Sequence, residues 1–441
     1  MFRLEMSVAA GLALVLAASP SLAQSSSFAT TPRPLARVSF FVWTSQWQSP
    51  GQPSASSQEL QTSVTYQTPE LEGEGMDVGV DVRHTRYSVE GRDPRLAIYD
   101  GFIGARLAGG SLRVKAGHMW LNDLGSLGSV AGGLVEYRTA PQTANRVRVG
   151  VFGGLEPNTF RLGYAEGVKK AGTYVSIDGA RSRRHVAGFV TVRNGGLTER
   201  SVLTFTNYLP VGRSLFVYQA GEIDVRAPVG TAQGGLAYLF TSARVNAGRR
   251  VELMGTHNRG RSLDVRGLAE DVLSGRPVAQ RQIDGLQYES LGGRISVEVV
   301  PRVRVYTGYS RDKNNRDDAP TGRWLIGGHA ADVFHSGVDV TASDSRLERS
   351  NGSYHAFYAS VGRQIGRAVY ASGSYSTSLS IVRFARTDGL IIETKPSSTR
   401  VGGQASINLG RSVSLLVDVE RTTDDDTHEF RALSGLTYRF R

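Results

Sequence analysis

The stretch from Val401 to Arg441 constrains the fold more than any other. Val413, Leu415, Val417 and Val419 fall on one parity, and Ser412, Ser414, Asp418 and Glu420 on the other; Leu416 is the apolar exception on the polar side. Successive strand side chains point to opposite faces, so this is a two-faced ribbon with one apolar and one polar surface. Leu436, Tyr438 and Phe440 repeat the alternation almost to the last residue. Two-faced strands repeated to the end of a chain predict a closed barrel set in lipid, because hydrocarbon tolerates no open sheet edge.

Composition agrees. The 441 residues contain no interior apolar run near the length of about 20 that a spanning helix needs. A barrel needs an apolar residue at only every second strand position. The 52 glycines, the aromatic residues and the absence of cysteine fit an ordered chain with no disulfide framework. The net charge of +11 is spread along the strands and turns with acids interleaved, unlike the one-sided basic face of a nucleic-acid binder.

In chain order, residues 1–23 read as a secretory signal, with Arg3 before an apolar core from Val8 to Ala18 and a small-residue cleavage site at Ser21-Leu22-Ala23. Residues 24–35 form a Ser/Thr/Pro-rich tether, expected on the periplasmic side. Residues 36–441 read as one barrel domain. Met76 to His84, Arg95 to Leu107, Ser111 to Trp120, Val186 to Arg193, Thr198 to Tyr208 and Glu289 to Val299 are among its alternating runs. Short turns carry Gly with Arg, Gly or Pro with Arg: Gly109-Gly110, Gly212-Arg213, Gly248-Arg249, Pro301-Arg302, Gly366-Arg367 and Gly410-Arg411. Longer polar connections, such as Asp312 to Thr321 and Thr387 to Ser398, lie between them. The fold class is therefore all-β: a transmembrane, antiparallel, up-and-down β-barrel of about 20 strands, within about 16 to 22. Phe160 to Val168 and Ala330 to Val340 leave the count open. Asp264 to Leu273 breaks the period: Val265, Leu268 and Val272 share a helical face, Ser262 or Asp264 can cap it, and Gly275 with Pro277 stops it. This helix either narrows the lumen or lies on the outer rim.

The chain resembles the outer-membrane β-barrel superfamily of Gram-negative bacteria, broadly porin-like. The resemblance rests on this architecture and on the closing strand, where Leu436, Tyr438 and Phe440 look like the family's assembly signal; Arg441, after Phe440, departs from a terminal aromatic. Gly117 to Arg138 also looks like part of such barrels. The resemblance implies an outer-membrane location, contact with the barrel assembly machinery, lipid and lipopolysaccharide, and passive diffusion of small polar solutes or a receptor or adhesin role.

No catalytic signature is present: HExxH, a Walker phosphate loop and GxSxG are all missing. No enzyme activity, cofactor, metal or nucleic-acid partner is expected. His118, His257, His335 and His355 are isolated, and the acidic groups at Asp312–Asp318 and Asp424–Asp426 read as solvated loops. If the valine sets face lipid, Arg113, Lys115, Arg146, Arg148, Arg302 and Arg304 face the lumen, where rows of cations lower the barrier to anions. The expectation is a mildly anion-favouring pore. The alternative is a non-conducting barrel, plugged by ion pairs with acids such as Asp77 and Asp418, with a structural or surface-binding role.

Overall fold

The computed structural model describes residues 35–440 apart from 69–72, 90, 140–145, 159–162, 232–233 and 386–389; the signal and nearly all of the tether lie outside the described residues. Its strands are β1 (Leu35–Gln48), β2 (Ala55–Gln67), β3 (Gly75–Tyr87), β4 (Arg95–Leu107), β5 (Leu112–Trp120), β6 (Ser129–Arg138), β7 (Arg146–Pro157), β8 (Tyr164–Asp178), β9 (Arg184–Asn194), β10 (Leu197–Val211), β11 (Leu215–Asp224) and β12 (Gly235–Ala247). They continue with β13 (Val251–Ser262), β14 (Leu286–Val300), β15 (Val303–Asn314), β16 (Thr321–Val333), β17 (Val338–Arg349), β18 (Gly352–Ile365), β19 (Val369–Ala385), β20 (Ile391–Thr394), β21 (Ser397–Leu409), β22 (Val413–Asp424) and β23 (His428–Phe440).

Each strand pairs antiparallel with its chain neighbour, except that the short β20 only extends the end of β19, which also pairs β21. β1 pairs β23 from Ala36↔Phe440 to Gln48↔His428, which joins the first strand to the last. The result is a closed ring of 22 strands plus one accessory strand. Among the described residues, closure leaves no open edge in the 22-strand ring itself. The count sits at the upper bound of the sequence expectation. Of the two doubtful segments, Phe160 to Val168 opens β8 from Tyr164 onward, its first three residues lying outside the described residues, and Ala330 to Val340 forms the β16–β17 hairpin.

The register fixes which face is outside. Phe40 lies between Thr62 and Leu436, Val38 between Val64 and Tyr438, and Ala36 between Tyr66 and Phe440. These side chains point outward, and many of their equivalents around the ring are strongly exposed, such as Val151 at 60% and Leu291 at 63%. An outer surface of exposed valine, leucine and aromatic residues has no place in water and fits the apolar belt of a barrel in lipid. Val413, Leu415, Val417 and Val419 belong to it, opposite Tyr438, Leu436, Ser434 and Ala432.

The Gly-Arg turns and both ends of the ring lie together at one end, here the turn end. Gly212, Gly248, Gly366 and Gly410 adopt positive φ there, which a side chain would strain. The opposite, loop end carries the longer connections, including α1 (Val265–Leu273) and α2 (Gln280–Asp284) between β13 and β14. Asp264 caps α1 by accepting from the Gly267 amide at 2.9 Å.

Candidate functional site

With lipid outside, the chemistry of this chain lies on the inner wall, which falls into two unlike sectors. The first spans β3 to β11. Its connection between β5 and β6, residues Asn122–Gly128, folds into the interior. The neck is tied by the Leu121 amide donating to the Gly128 carbonyl at 2.9 Å. Gly125 sits at φ 57°, ψ −131°, a conformation that glycine tolerates best. Leu124 and Leu127 pack among Met119, Val130, Leu134, Phe152, Tyr174, Val190 and Val202, all buried. Gly188 makes the room: a side chain there would overlap a methyl of Leu124.

Ion pairs surround this apolar plug. Asp123 meets Arg148 at 3.0 Å and also Arg184. These arginines stand in the first turns of β7 and β9 from the turn end, so the loop reaches deep into the barrel. Arg148 also meets Asp178 at 3.3 Å and Glu136 at 3.8 Å, and the Tyr174 hydroxyl donates to Glu136. Asp77, 1% exposed, accepts from Arg113 and lies 3.6 Å from Arg106. Near the loop end Arg266 of α1 reaches Glu199 at 2.9 Å and Glu156 at 3.3 Å, and Lys170 meets Glu156 at 3.5 Å. Leu268 and Ala269 are buried beneath the helix, with Gly230 against Leu268 and Val272. The helix therefore closes onto the loop-end rim of the same sector, on its inward-facing acids.

The second sector, β17 to β21, has little of this. Ser372, Ser374, Ser376, Ser378 and Ser380 of β19 all point inward, opposite Gly362, Ser360, Tyr358, Ala356 and Tyr354 of β18. Among the described residues, none of these five hydroxyls bonds to another protein group. On β21 the inward neighbours are Ser398, Arg400, Gly402, Gln404 and Ser406. After Ala269 the described chain holds one buried apolar side chain besides glycine, Leu347. This wall presents hydroxyls and a few charges to whatever fills the interior.

The six residues expected in the lumen separate accordingly. Arg113, Lys115, Arg146 and Arg148 take inward register positions in the packed sector. There Arg113 is committed to Asp77, Lys115 stands 3.8 Å from the Phe102 ring centre, and Arg148 is held by three carboxylates. Arg304 faces inward and lies 3.8 Å from Glu252. Arg302 is not on the wall: it occupies the β14–β15 turn at φ 71° and pairs with Asp332. Its neighbours keep the alternation, but the register shifts between Glu298 and Val300 and β14 ends at Val300, before Arg302.

Leu436, Tyr438 and Phe440 face outward on the seam with β1, and Tyr438 and Phe440 pack edge-on at 4.7 Å. Tyr309 and Trp324 stack on the outer belt, whereas Trp43, Tyr306, Tyr354 and Tyr358 point inward. The acidic loops are occupied by local bonds: Asn314 accepts from the amides of Arg316 and Asp317, and Asp425 accepts from the Ser397 amide and hydroxyl. Sequence reasoning missed the inward loop. Its signal was Leu121, Leu124 and Leu127 at three-residue spacing, apolar residues where a loop-end connection is otherwise polar.

No protein-family model and no curated protein matches the chain. Among solved structures it is similar to Pseudomonas aeruginosa OpdQ, at 9% identity and TM-score 0.44 over 92% of this chain and 99% of that one. The BenF-like porin of Pseudomonas fluorescens Pf-5 gives 9% and 0.45 over 92% and 98%. The P pilus usher (PapC) translocation pore gives 11% and 0.43 over 92% and 100%. At such likeness, solute and mechanism have to be argued from this chain's own residues.

Proposed function

We propose that this protein is an outer-membrane channel of a Gram-negative bacterium through which small hydrophilic solutes diffuse passively, with a mild preference for anions. The observation that carries this reading is the run of five inward serines on β19 whose hydroxyls have no protein partner among the described residues. Hydroxyls that face an interior and bond to nothing in the protein are solvated, and a solvated wall along a strand that spans the bilayer is a path. The anion preference draws on the net charge of +11 and on Arg37 and Arg439, which face each other inward near the turn-end mouth without a carboxylate partner among the described residues.

In this reading residues 1–23 direct secretion, and Leu436, Tyr438 and Phe440 present the closing strand to the barrel assembly machinery. The non-conducting alternative has one observation in its favour, the loop Asn122–Gly128 filling one side of the lumen. Single-channel recording in planar bilayers decides between them. Steps of conductance are expected, with a reversal potential in a salt gradient of the sign for anions. Folded protein that passes no current removes the channel, and a cation-selective potential removes the charge preference.

A further inference from the structure

The outer wall has its own asymmetry. Lys169, Arg193, Arg259, Arg311, Arg346 and Arg421 all point outward in the loop-end half of their strands. In the turn-end half the outward belt is built mostly of residues such as Tyr66, Val147, Ile177 and Phe440, with Arg363 an outward cation at its outermost edge. An outward Arg or Lys is costly at the bilayer midplane and nearly free near the interface, so a cluster of outward basic residues marks a headgroup level.

One position differs from the rest. Lys169 of β8 lies directly opposite Arg193 of β9. Like charges opposed across strands repel. Arg259, by contrast, stands opposite Glu289. Lys169 meets Leu155 on its other side, and Arg193 donates to the Gly196 carbonyl at 3.3 Å. Among the described residues neither cation meets a carboxylate. Between them lies a recess of about 350 Å³ in the outer surface, its floor set by Gly153 and Ala171 and its sides by Leu155 and Thr191. The recess exists because those floor positions have little or no side chain. Two unneutralised cations, exposed at headgroup level beside an apolar hollow on a lipid-facing wall, are complementary to an anion attached to a hydrocarbon chain.

We propose that Lys169, Arg193 and this recess form a binding site for a phosphorylated glycolipid of the loop-end leaflet. A phosphate bridges the two cations and one acyl chain occupies the hollow. The site depends on the barrel facing lipid and not on conduction, so it stands or falls separately from the channel.

The test uses the full-length folded barrel in detergent and purified lipid A as the probe, with retained complexes counted by native mass spectrometry. Lys169→Gln combined with Arg193→Gln is expected to lower affinity at least tenfold and to leave conductance unchanged. Ala171→Leu, which fills the hollow and keeps both charges, is expected to weaken binding as well, and it serves as the working variant if the double substitution does not fold. Dephosphorylated lipid A is expected to bind no better to the wild type than to the double variant. Equal binding of lipid A to wild type and both variants overturns the proposal. So does equal affinity for the dephosphorylated lipid, or tighter binding of phosphatidylglycerol than of lipid A.

Discussion

The wall from β3 to β11 and the wall from β17 to β21 are built from the same two-residue repeat, yet their inner faces have become different materials. In the first, inward valines such as Val190 and Val202 are fully buried against Leu124, and many of its charges are enclosed in ion pairs, such as Asp77 with Arg113 and Asp123 with Arg148. In the second, inward positions are serines, tyrosines and glycines that touch little. Strand pairing alone therefore does not hold the barrel evenly. One side carries an interior like that of a soluble domain, the other relies on its backbone ladder and the apolar belt outside. The difference teaches that the inward packing is a property of a sector rather than of the barrel, and that in the proposed channel stability and passage would fall to opposite walls.

The sharpest test compares two carboxylates. Asp77 is buried and serves both Arg106 and Arg113, whereas Glu420, on β22 at the edge of the second sector, is partly exposed and lies 3.4 Å from Arg400 of β21 and 4.0 Å from Arg431. Removing one partner of a buried ion pair costs about 3–5 kcal/mol, and an exposed pair is worth about 0–1 kcal/mol. Asp77→Ala is expected to lower stability in urea titrations of the folded barrel several-fold more than Glu420→Ala. Equal losses would erase the distinction between the sectors.

Next comes the plug itself. Leu124 is completely buried, so Leu124→Ala is expected to cost about 2–5 kcal/mol through lost burial and the cavity left behind. Loosening the loop is also expected to raise single-channel conductance. Ser376→Ala, on the opposite wall, is expected to change stability little. A Leu124→Ala barrel with unaltered conductance would show that the loop packs without narrowing the path.

Two glycines give a finer comparison. A methyl group at Gly188 meets Leu124, which is enclosed on all sides, while one at Gly402 meets the Ser374 Oγ at 3.1 Å, which can rotate away, and the Val419 carbonyl oxygen at 3.4 Å, an ordinary contact. Overpacking costs about 1–3 kcal/mol, so Gly188→Ala is expected to lose stability in that range and Gly402→Ala to stay close to wild type in the same titration.

Much of this barrel can be read from the chain, and what cannot is specific. The period-two pattern places Val413 to Val419 and Leu436 to Phe440 on the lipid side, because a strand of alternating parity leaves no other choice. The helix at Val265–Leu273 announces itself through the spacing of Val265, Leu268 and Val272 and the Asp264 cap. Parity also puts Arg113 and Arg304 on the inner wall, but it is blind to what they meet there. Arg113 finds Asp77 on β3, two strands away, whereas Arg304 stays half-exposed. That depends on register across strands and on a loop folding inward, and neither leaves a local trace beyond the leucines at 121, 124 and 127. Aromatic residues are ambiguous for the same reason. Tyr309 and Tyr306 lie three residues apart on one strand and face opposite ways.

The smallest effect is expected at the loop-end rim of the hydroxyl-lined sector, where single solvated contacts replace packing. Asp425 accepts from the Ser397 hydroxyl at 2.7 Å and from its amide at 2.8 Å, joining the start of β21 to the β22–β23 loop. The hydroxyl bond first, and the amide bond after it, hold the carboxyl below its ordinary value. A depressed carboxyl contributes stability that is present above the unfolded value, about 3.9, and is lost as pH falls through the folded value. Amide exchange at Ser397, corrected for its intrinsic pH dependence, is therefore expected to be slow near neutrality and to quicken only below the usual carboxylate range. Asp425→Ala is expected to exchange quickly at every pH. The deep pair at Asp123 and Arg148 provides the contrast, since the Leu124 amide beside it donates to the Leu121 carbonyl inside the packed loop. Its exchange is expected to stay slow throughout the range in which Ser397 is released. If both amides quicken together, the two walls do not open independently, and the division between them fails at its weakest joint.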